Sequence, residues 1–199
     1  MLQRALFWIS ITLASMVQAD FKRCGVNPTR ENVAAIENLY NRATKGKSVV
    51  GYNPLARKPP TIKVYFHVVM DNRGIGNLTN NNIDQQMAQL NQDFGGRYNF
   101  ELQSVDRTVN PTWFYKIDYD TKANIIRMKR ALYKGSFADL NVYTVDMQLL
   151  GFATFPHERR LAFLDGVVIN YRTLPGGSQI FYNMGKTLSH EVGRKFFIN

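Results

Sequence analysis

The chain has 199 residues, among them 14 Gly, 7 Pro and a single Cys, and its hydrophobic content is 45%. The scattered Gly and Pro exclude a collagen-like chain, and one Cys cannot form the internal bridges of a disulfide scaffold. The length suits one domain with a hydrophobic core, or a part of a larger one. The formal net charge is +10 at pH 7. Because the basic residues are dispersed and no recognition motif accompanies them, we expect no nucleic-acid partner.

The first residues have the pattern of a secretory signal peptide. Arg4 precedes an apolar-rich stretch over 5–17, and small or apolar residues lead to Ala19, where cleavage is expected. As a helix, such a stretch extends for roughly 20 Å, which is short of the roughly 30 Å hydrocarbon core of a bilayer. We therefore predict a signal peptide over 1–19 and a secreted, extracellular, monomeric protein without a permanent membrane anchor.

Secretion makes one short motif relevant. Asn77-Leu78-Thr79 is a usable N-glycosylation sequon, whereas a Pro blocks the sequons that begin at Asn27 and Asn110. We predict a glycan on Asn77.

The mature chain is predicted to begin with a small helical segment. Apolar residues at helical spacing predict a helix over 29–43, and the Gly- and Pro-containing stretch 44–60 predicts a linker. Alternating apolar residues then predict a strand over 62–70. The spacing of Ile83, Met87, Leu90 and Phe94 predicts a helix that ends at Gly95.

The second half of the chain continues to alternate strands with helices. The patterns predict strands or extended segments over 100–109 and 113–119, a helix over 121–132, and strands over 140–145 and 166–171. Strands that alternate with helices indicate an α+β or α/β sheet covered by helices.

The residues that indicate chemistry lie at 190–194. His190 and Glu191 begin the pattern H-E-x-x-H, in which two histidines one helical turn apart reach one zinc ion and the glutamate polarises its bound water. The position of the second histidine is Arg194 in this chain. A guanidinium keeps its proton and its positive charge, so it cannot replace an imidazole as a metal ligand.

Several segments are similar, in order, to one protein family. In these segments the chain resembles the secreted, fungal-type, pappalysin-like branch of the metzincin zinc endopeptidases; they are 22–25, 64–69, 140–143, 151–156, 165–171 and 187–193. The resemblance implies a zinc cofactor, protein or peptide substrates, and a twisted, mostly parallel sheet with an antiparallel edge strand over two to three helices. It also implies that His190 is the first zinc ligand and Glu191 the general base.

The resemblance further implies a division of the chain. Residues 20–60 form an N-terminal helix and linker, which one interpretation makes a pro-segment, and 61–199 form a catalytic domain truncated in its active-site helix, without the C-terminal subdomain. The third zinc histidine would fall one residue beyond Asn199. Arg194-Lys195-Phe196 can be encoded by a sequence that contains GTAAGT, the preferred start of a eukaryotic intron. We therefore hypothesise that translation has entered an unspliced intron.

Three questions stay open at the level of the sequence. With one motif ligand left, we expect a metalloendopeptidase by lineage that has little or no activity, and the alternative is a non-catalytic secreted peptide-binding module or protease decoy. Cys24 resembles a latency thiol, but a disulfide with a cysteine outside the chain is the favoured interpretation, because extracellular cysteines usually pair. A replacement zinc site built from His67, His157 and His190 is disfavoured, because a histidine in the middle of a strand is ordinarily a hydrogen-bonded core residue.

Overall fold

The computed structural model describes residues 58–117, 122–153 and 162–196. The predicted signal peptide, the predicted helix over 29–43, Cys24 and His157 lie outside the described residues, as does most of the predicted linker. The described strands are β1 (Thr61–Met70), β2 (Asn99–Val109), β3 (Leu140–Val145), β4 (Gly151–Ala153) and β5 (Val167–Asn170). The described α-helices are α1 (Asn80–Asp93), α2 (Pro111–Tyr115), α3 (Ala123–Leu132) and α4 (Lys186–Phe196).

The strands form a single five-stranded sheet in the order β2-β1-β3-β5-β4. β1 pairs in parallel with β2 and β3, β3 pairs in parallel with β5, and β4 alone runs antiparallel, beside β5. The register of β1 against β2 shifts between Val64 and Tyr65, where β2 carries one extra residue. The predicted mostly parallel sheet with an antiparallel edge strand is confirmed.

Alternation along the strands separates two cores, one on each face of the sheet. One face packs against α1 and α4; its strand residues include Ile62, Val64, Phe66, Val68, Leu140, Val142, Val167 and Ile169. The opposite face packs against α2 and α3; its strand residues include Val69, Tyr143, Val145, Phe152 and Val168. Burial on both faces explains why the inner strands β3 and β5 consist mainly of apolar residues, whereas the edge strand β2 is largely polar.

The structure corrects the prediction of an extended segment over 113–119. Residues 113–115 belong to the short helix α2, while 118–119 lie outside the described residues. Asn110 caps this helix, because its Oδ1 accepts a hydrogen bond from the backbone N–H of Trp113 at 3.0 Å. Pro111 occupies the first helical position, where its missing N–H costs nothing. The Asn-Pro pair was the available signal, and the aromatic residues that follow it obscured that signal.

Strand β4 was not predicted, although its residues belong to the 151–156 segment that resembles the family. Its three residues are too few to show an alternating pattern, and it is recognised by its pairing with β5. Across 58–117, 122–153 and 162–196, no helix has the length and apolar character needed to cross a membrane.

Candidate active site

The helix that carries His190 and Glu191 is α4, and one of its sides is buried in the domain. Leu188 and Val192 are fully buried and join the core between α1 and the sheet. Lys195, which is 6% exposed, extends this buried side and forms an ion pair of 2.6 Å with Asp165. The sequence therefore fixes α4 against the sheet through an apolar stripe and a partly buried charged pair.

Two side chains of α1 hold the start of α4. The Gln86 Nε2 donates to the backbone carbonyl of Gly185 at 3.0 Å, and Lys186 Nζ lies 2.5 Å from Asp93 Oδ1. Burial raises the pKa of Asp93, but the hydrogen bond from Lys186 and the positive charge of Lys186 outweigh burial. The pKa of Asp93 therefore lies below its ordinary value. Sequence reasoning missed Gln86, although a glutamine on the apolar stripe of α1 beside Ile83 was the signal that could have found it.

The short strand β4 lies directly against α4 at Glu191. Glu191 is fully buried. A Cβ added to Gly151 would lie 3.0 Å from the Glu191 Cγ and 3.2 Å from the Thr187 Cγ2. The absence of a side chain at Gly151 therefore allows the edge strand β4 to approach α4 closely at Glu191. The sequence did not reveal this contact.

His190 lines an open cavity of about 260 Å³. Its side chain is exposed, in contrast with the neighbouring Glu191. The cavity lining is mostly apolar; it consists of Leu150, Phe181, Tyr182, Met184, Lys186, Thr187, His190 and Glu191. The two motif residues thus meet at one cavity beside β4.

The charge state of His190 follows from its surroundings. Partial burial lowers the pKa of His190, and the positive charge of Arg194, one helical turn further along, lowers it again. The imidazole is therefore neutral at pH 7, which is the form that can bind a metal ion.

The described residues do not fit a catalytic zinc ion. Such a site needs three protein ligands and an open position. Among the residues that the structure describes, no group of three His, Cys, Asp or Glu side chains is close enough to hold a metal. His190 has Arg194 where a second imidazole would be needed.

His67, the other described histidine, lies within the sheet and not at this cavity. It is fully buried, with Nδ1 at 2.8 Å from Asp106 Oδ2 and Nε2 at 2.9 Å from Asn141 Oδ1. These contacts match the expected hydrogen-bonded core histidine. Both ring nitrogens are engaged, so His67 offers no ligand to a site at His190.

Comparison with known proteins identifies the family. The chain is 38% identical over 182 residues to an extracellular metalloprotease of Verticillium alfalfae, covering 85% of this chain and 61% of the relative. It is 32% identical over 200 residues to an extracellular metalloprotease of Pyricularia oryzae, covering 96% of this chain and 69% of the relative. The chain belongs to the extracellular metalloprotease family.

The family match has a defined extent. The chain spans 61% and 60% of the length of the metalloproteases from Verticillium alfalfae and Arthroderma benhamiae. A scan against models of protein families finds no match.

Solved structures agree on the metalloprotease fold. Mirolysin in complex with a compound superposes with a TM-score of 0.60 at 24% identity, covering 69% of this chain and 63% of that one. Promirolysin of Tannerella forsythia superposes with a TM-score of 0.63 at 21% identity, covering 87% of this chain and 68% of that one. The sheet and helices described above are therefore those of a known metalloprotease architecture.

Proposed function

We propose that this chain is a secreted, pappalysin-like metzincin by lineage that has lost zinc-dependent peptide hydrolysis. The observation that carries the proposal is the position of Arg194. It lies one helical turn after His190, on the helix and at the spacing where the metalloprotease motif requires a second imidazole. The guanidinium has no lone pair for a metal, and its charge opposes a cation beside His190.

The first test measures metal and hydrolysis on the purified chain. We expect zinc well below one ion per chain by atomic absorption. We also expect no chelator-sensitive cleavage of unstructured protein substrates. The variant Arg194→His adds an imidazole one turn after His190 and should retain more zinc after dialysis. The variant Arg194→Gln removes the charge without adding a ligand, so it separates the effect of repulsion from the effect of ligation.

The outcomes are distinct. Stoichiometric zinc together with chelator-sensitive cleavage in the unmodified chain would overturn the proposal. Zinc retention by the Arg194→His and Arg194→Gln variants that is no higher than that of the unmodified chain would show that residue 194 does not determine metal binding.

A specific observation favours a second candidate function, that of a non-catalytic peptide-binding module. β4 lies at an edge of the described sheet, beside the cavity at His190. Two apolar side chains of the cavity lining are largely exposed, Phe181 at 74% and Met184 at 68%. An extended peptide can add to a sheet edge through main-chain hydrogen bonds while a side chain enters a neighbouring pocket. Protein or peptide partners are therefore proposed for the inactive chain as well.

Peptide binding by this cavity can be measured without any catalysis. Fluorescence anisotropy with labelled peptides that carry one large apolar residue should show saturable binding. The variant Phe181→Ala should weaken it by about 1–2 kcal/mol, or roughly 5- to 30-fold, because it removes exposed aromatic contact area at low cost to the fold. The matched control is Ile75→Ala, an exposed apolar residue (38%) that does not line the cavity. Equal losses in both variants would contradict binding at the cavity.

The remaining assignments complete the proposal. Cleavage of a signal peptide after Ala19, a pro-segment within 20–60 and either role for Cys24 concern residues outside the described ranges. Mass spectrometry of the secreted protein would identify its first residue and the state of Cys24.

A further inference from the structure

We propose that Asn77 is an N-glycosylation site and that its glycan covers the carboxyl end of the outer edge of β2. The proposal rests on secretion, as proposed above. The sequon that begins at Asn77 is the single one in the sequence that proline does not block. Its asparagine is exposed in the loop between β1 and α1, so the attachment point lies on the surface of the folded domain.

The contacts of Asn77 leave the reacting atom accessible. Its Oδ1 accepts a hydrogen bond of 3.3 Å from Arg107 Nε on β2. Within the described part of the chain, no hydrogen bond engages its Nδ2. Glycosylation would join Nδ2 to C1 of a sugar delivered by a lipid-diphosphate-linked oligosaccharide. The bond between C1 and the diphosphate oxygen breaks, the lipid diphosphate leaves, and the amide loses one proton. Because Oδ1 stays a carbonyl oxygen, the contact with Arg107 survives the modification.

Arg107 places this loop beside the sheet edge. Its Nη2 donates to the backbone carbonyl of Leu78 at 3.1 Å and to Asn80 Oδ1 at 2.7 Å. These bonds join the sequon loop to the carboxyl-terminal part of β2, which is an edge strand of the described sheet. A glycan that leaves Asn77 therefore emerges next to that edge.

The other end of the same edge is already occupied. Asn91 of α1 imitates a neighbouring strand at Phe100, where its Oδ1 accepts from the backbone N–H at 2.7 Å and its Nδ2 donates to the carbonyl at 2.9 Å. Exposed edge strands can pair with other chains and are commonly blocked by side chains or covering segments. Asn91 thus blocks the amino end of the outer edge of β2, and the proposed glycan covers its carboxyl end.

The test must separate glycosylation from helix capping, because Thr79 serves both. Its Oγ1 accepts from the backbone N–H of Asn82 at 3.2 Å and so caps α1. Thr79→Asn destroys the sequon but supplies another good capping residue. Thr79→Ser preserves both the sequon and the cap. Asn77→Gln removes the attachment atom without touching the cap.

The experiment secretes the full chain from a yeast host, once with its own leader and once with the leader of the host. We expect the secreted protein to lose mass on treatment with an N-glycosidase. The same treatment should convert residue 77 to aspartate in the tryptic peptide that contains it. Thr79→Ser should behave in the same way, while Thr79→Asn and Asn77→Gln should lack the mass loss. Secreted protein without a glycan on residue 77 would overturn the site. Glycosylation with the host leader alone would support the site and overturn the proposed secretion by residues 1–19.

A second readout addresses the covered edge. Light scattering should show more self-association for the enzyme-treated protein and for the Thr79→Asn variant than for the glycosylated protein. Identical scattering before and after treatment would overturn the proposed cover while leaving the attachment site established.

Discussion

At the scale of single residues, the fully buried His67 is the most demanding feature of the described sheet. It is paired in register with Asp106 of β2 and with Tyr143 of β3, on whose ring it stacks at 4.7 Å. The orientation of Asn141 is fixed by Lys134, whose backbone N–H donates to Oδ1 and whose carbonyl accepts from Nδ2, both at 2.9 Å. The His67 ring therefore has a hydrogen-bonding oxygen of a neighbouring side chain at each of its nitrogens.

Removal of these two side-chain contacts should destabilise the sheet strongly. His67→Phe keeps a ring to stack on Tyr143 but leaves Asp106 and Asn141 without the histidine, which should cost about 2–4 kcal/mol in free energy of unfolding. The matched control is Lys134→Gln, which removes a second partner of the same Asp106 carboxylate. The Lys134 side chain is 45% exposed and its ion pair measures 3.0 Å, so its loss should cost less than about 1 kcal/mol. Urea denaturation measures both, and similar losses in the two variants would contradict the importance of the buried histidine.

At the scale of elements, the sequence predicts what local periodicity and local chemistry determine. The alternation over 62–70 predicted β1, and the helical spacing of Ile83, Met87 and Leu90 predicted α1, because each pattern reports which face of the element is buried. The helix over 121–132 is likewise confirmed as α3. β4 escaped because three residues carry no period. α2 was misread because an N-cap asparagine followed by proline decided the conformation against the extended preference of Trp113 and Tyr115.

In the candidate site, too, local features could be predicted from the sequence and long-range contacts could not. His190, Glu191 and Arg194 are neighbours in sequence, so their arrangement on one helix could be predicted from spacing alone. The approach of Gly151 to Glu191 and the bond from Gln86 to Gly185 join segments that are far apart in the chain. Such contacts depend on how α1, α4 and β4 pack across the sheet, and no local pattern encodes that packing. The sequence thus predicted which of these residues share one helix, but not what holds the helix in place.

At the scale of the whole molecule, buried and hydrogen-bonded carboxylates connect the fold to pH. Asp71, at the carboxyl end of β1, is 2% exposed. Burial raises its pKa, but hydrogen bonds from the Ile75 backbone, the Tyr115 hydroxyl and Arg73 outweigh burial and bring the pKa down to about 2. For Asp106, burial likewise raises the pKa, and the hydrogen bond and charge of His67 and those of Lys134 bring it below its ordinary value.

One carboxylate behaves in the opposite way. Burial raises the pKa of Asp146 and outweighs the charge of Arg172, although the two side chains lie 2.6 Å apart. A raised pKa means that the folded state binds a proton more tightly than the unfolded chain does, so Asp146 stabilises the fold on the acid side and loses that contribution as pH rises through its folded pKa. Asp71, Asp93 and Asp106 have lowered pKa values and together oppose the effect of Asp146.

The net result should be a loss of stability in acid. A carboxylate with a lowered pKa stabilises the fold fully above its ordinary pKa and loses that contribution as pH falls through its folded pKa. For Asp71 this interval runs from 3.8 down to about 2. The urea midpoint should therefore fall steadily when pH is lowered from about 5 to about 2.

Asp71→Asn should lower the midpoint at neutral pH and flatten its fall in acid, because the protonation that weakens the loop after β1 can no longer occur. The control Asp84→Asn changes an exposed carboxylate of α1 and should follow the unmodified chain at every pH. An Asp71→Asn curve that runs parallel to that of the unmodified chain would show that Asp71 does not couple the fold to protons.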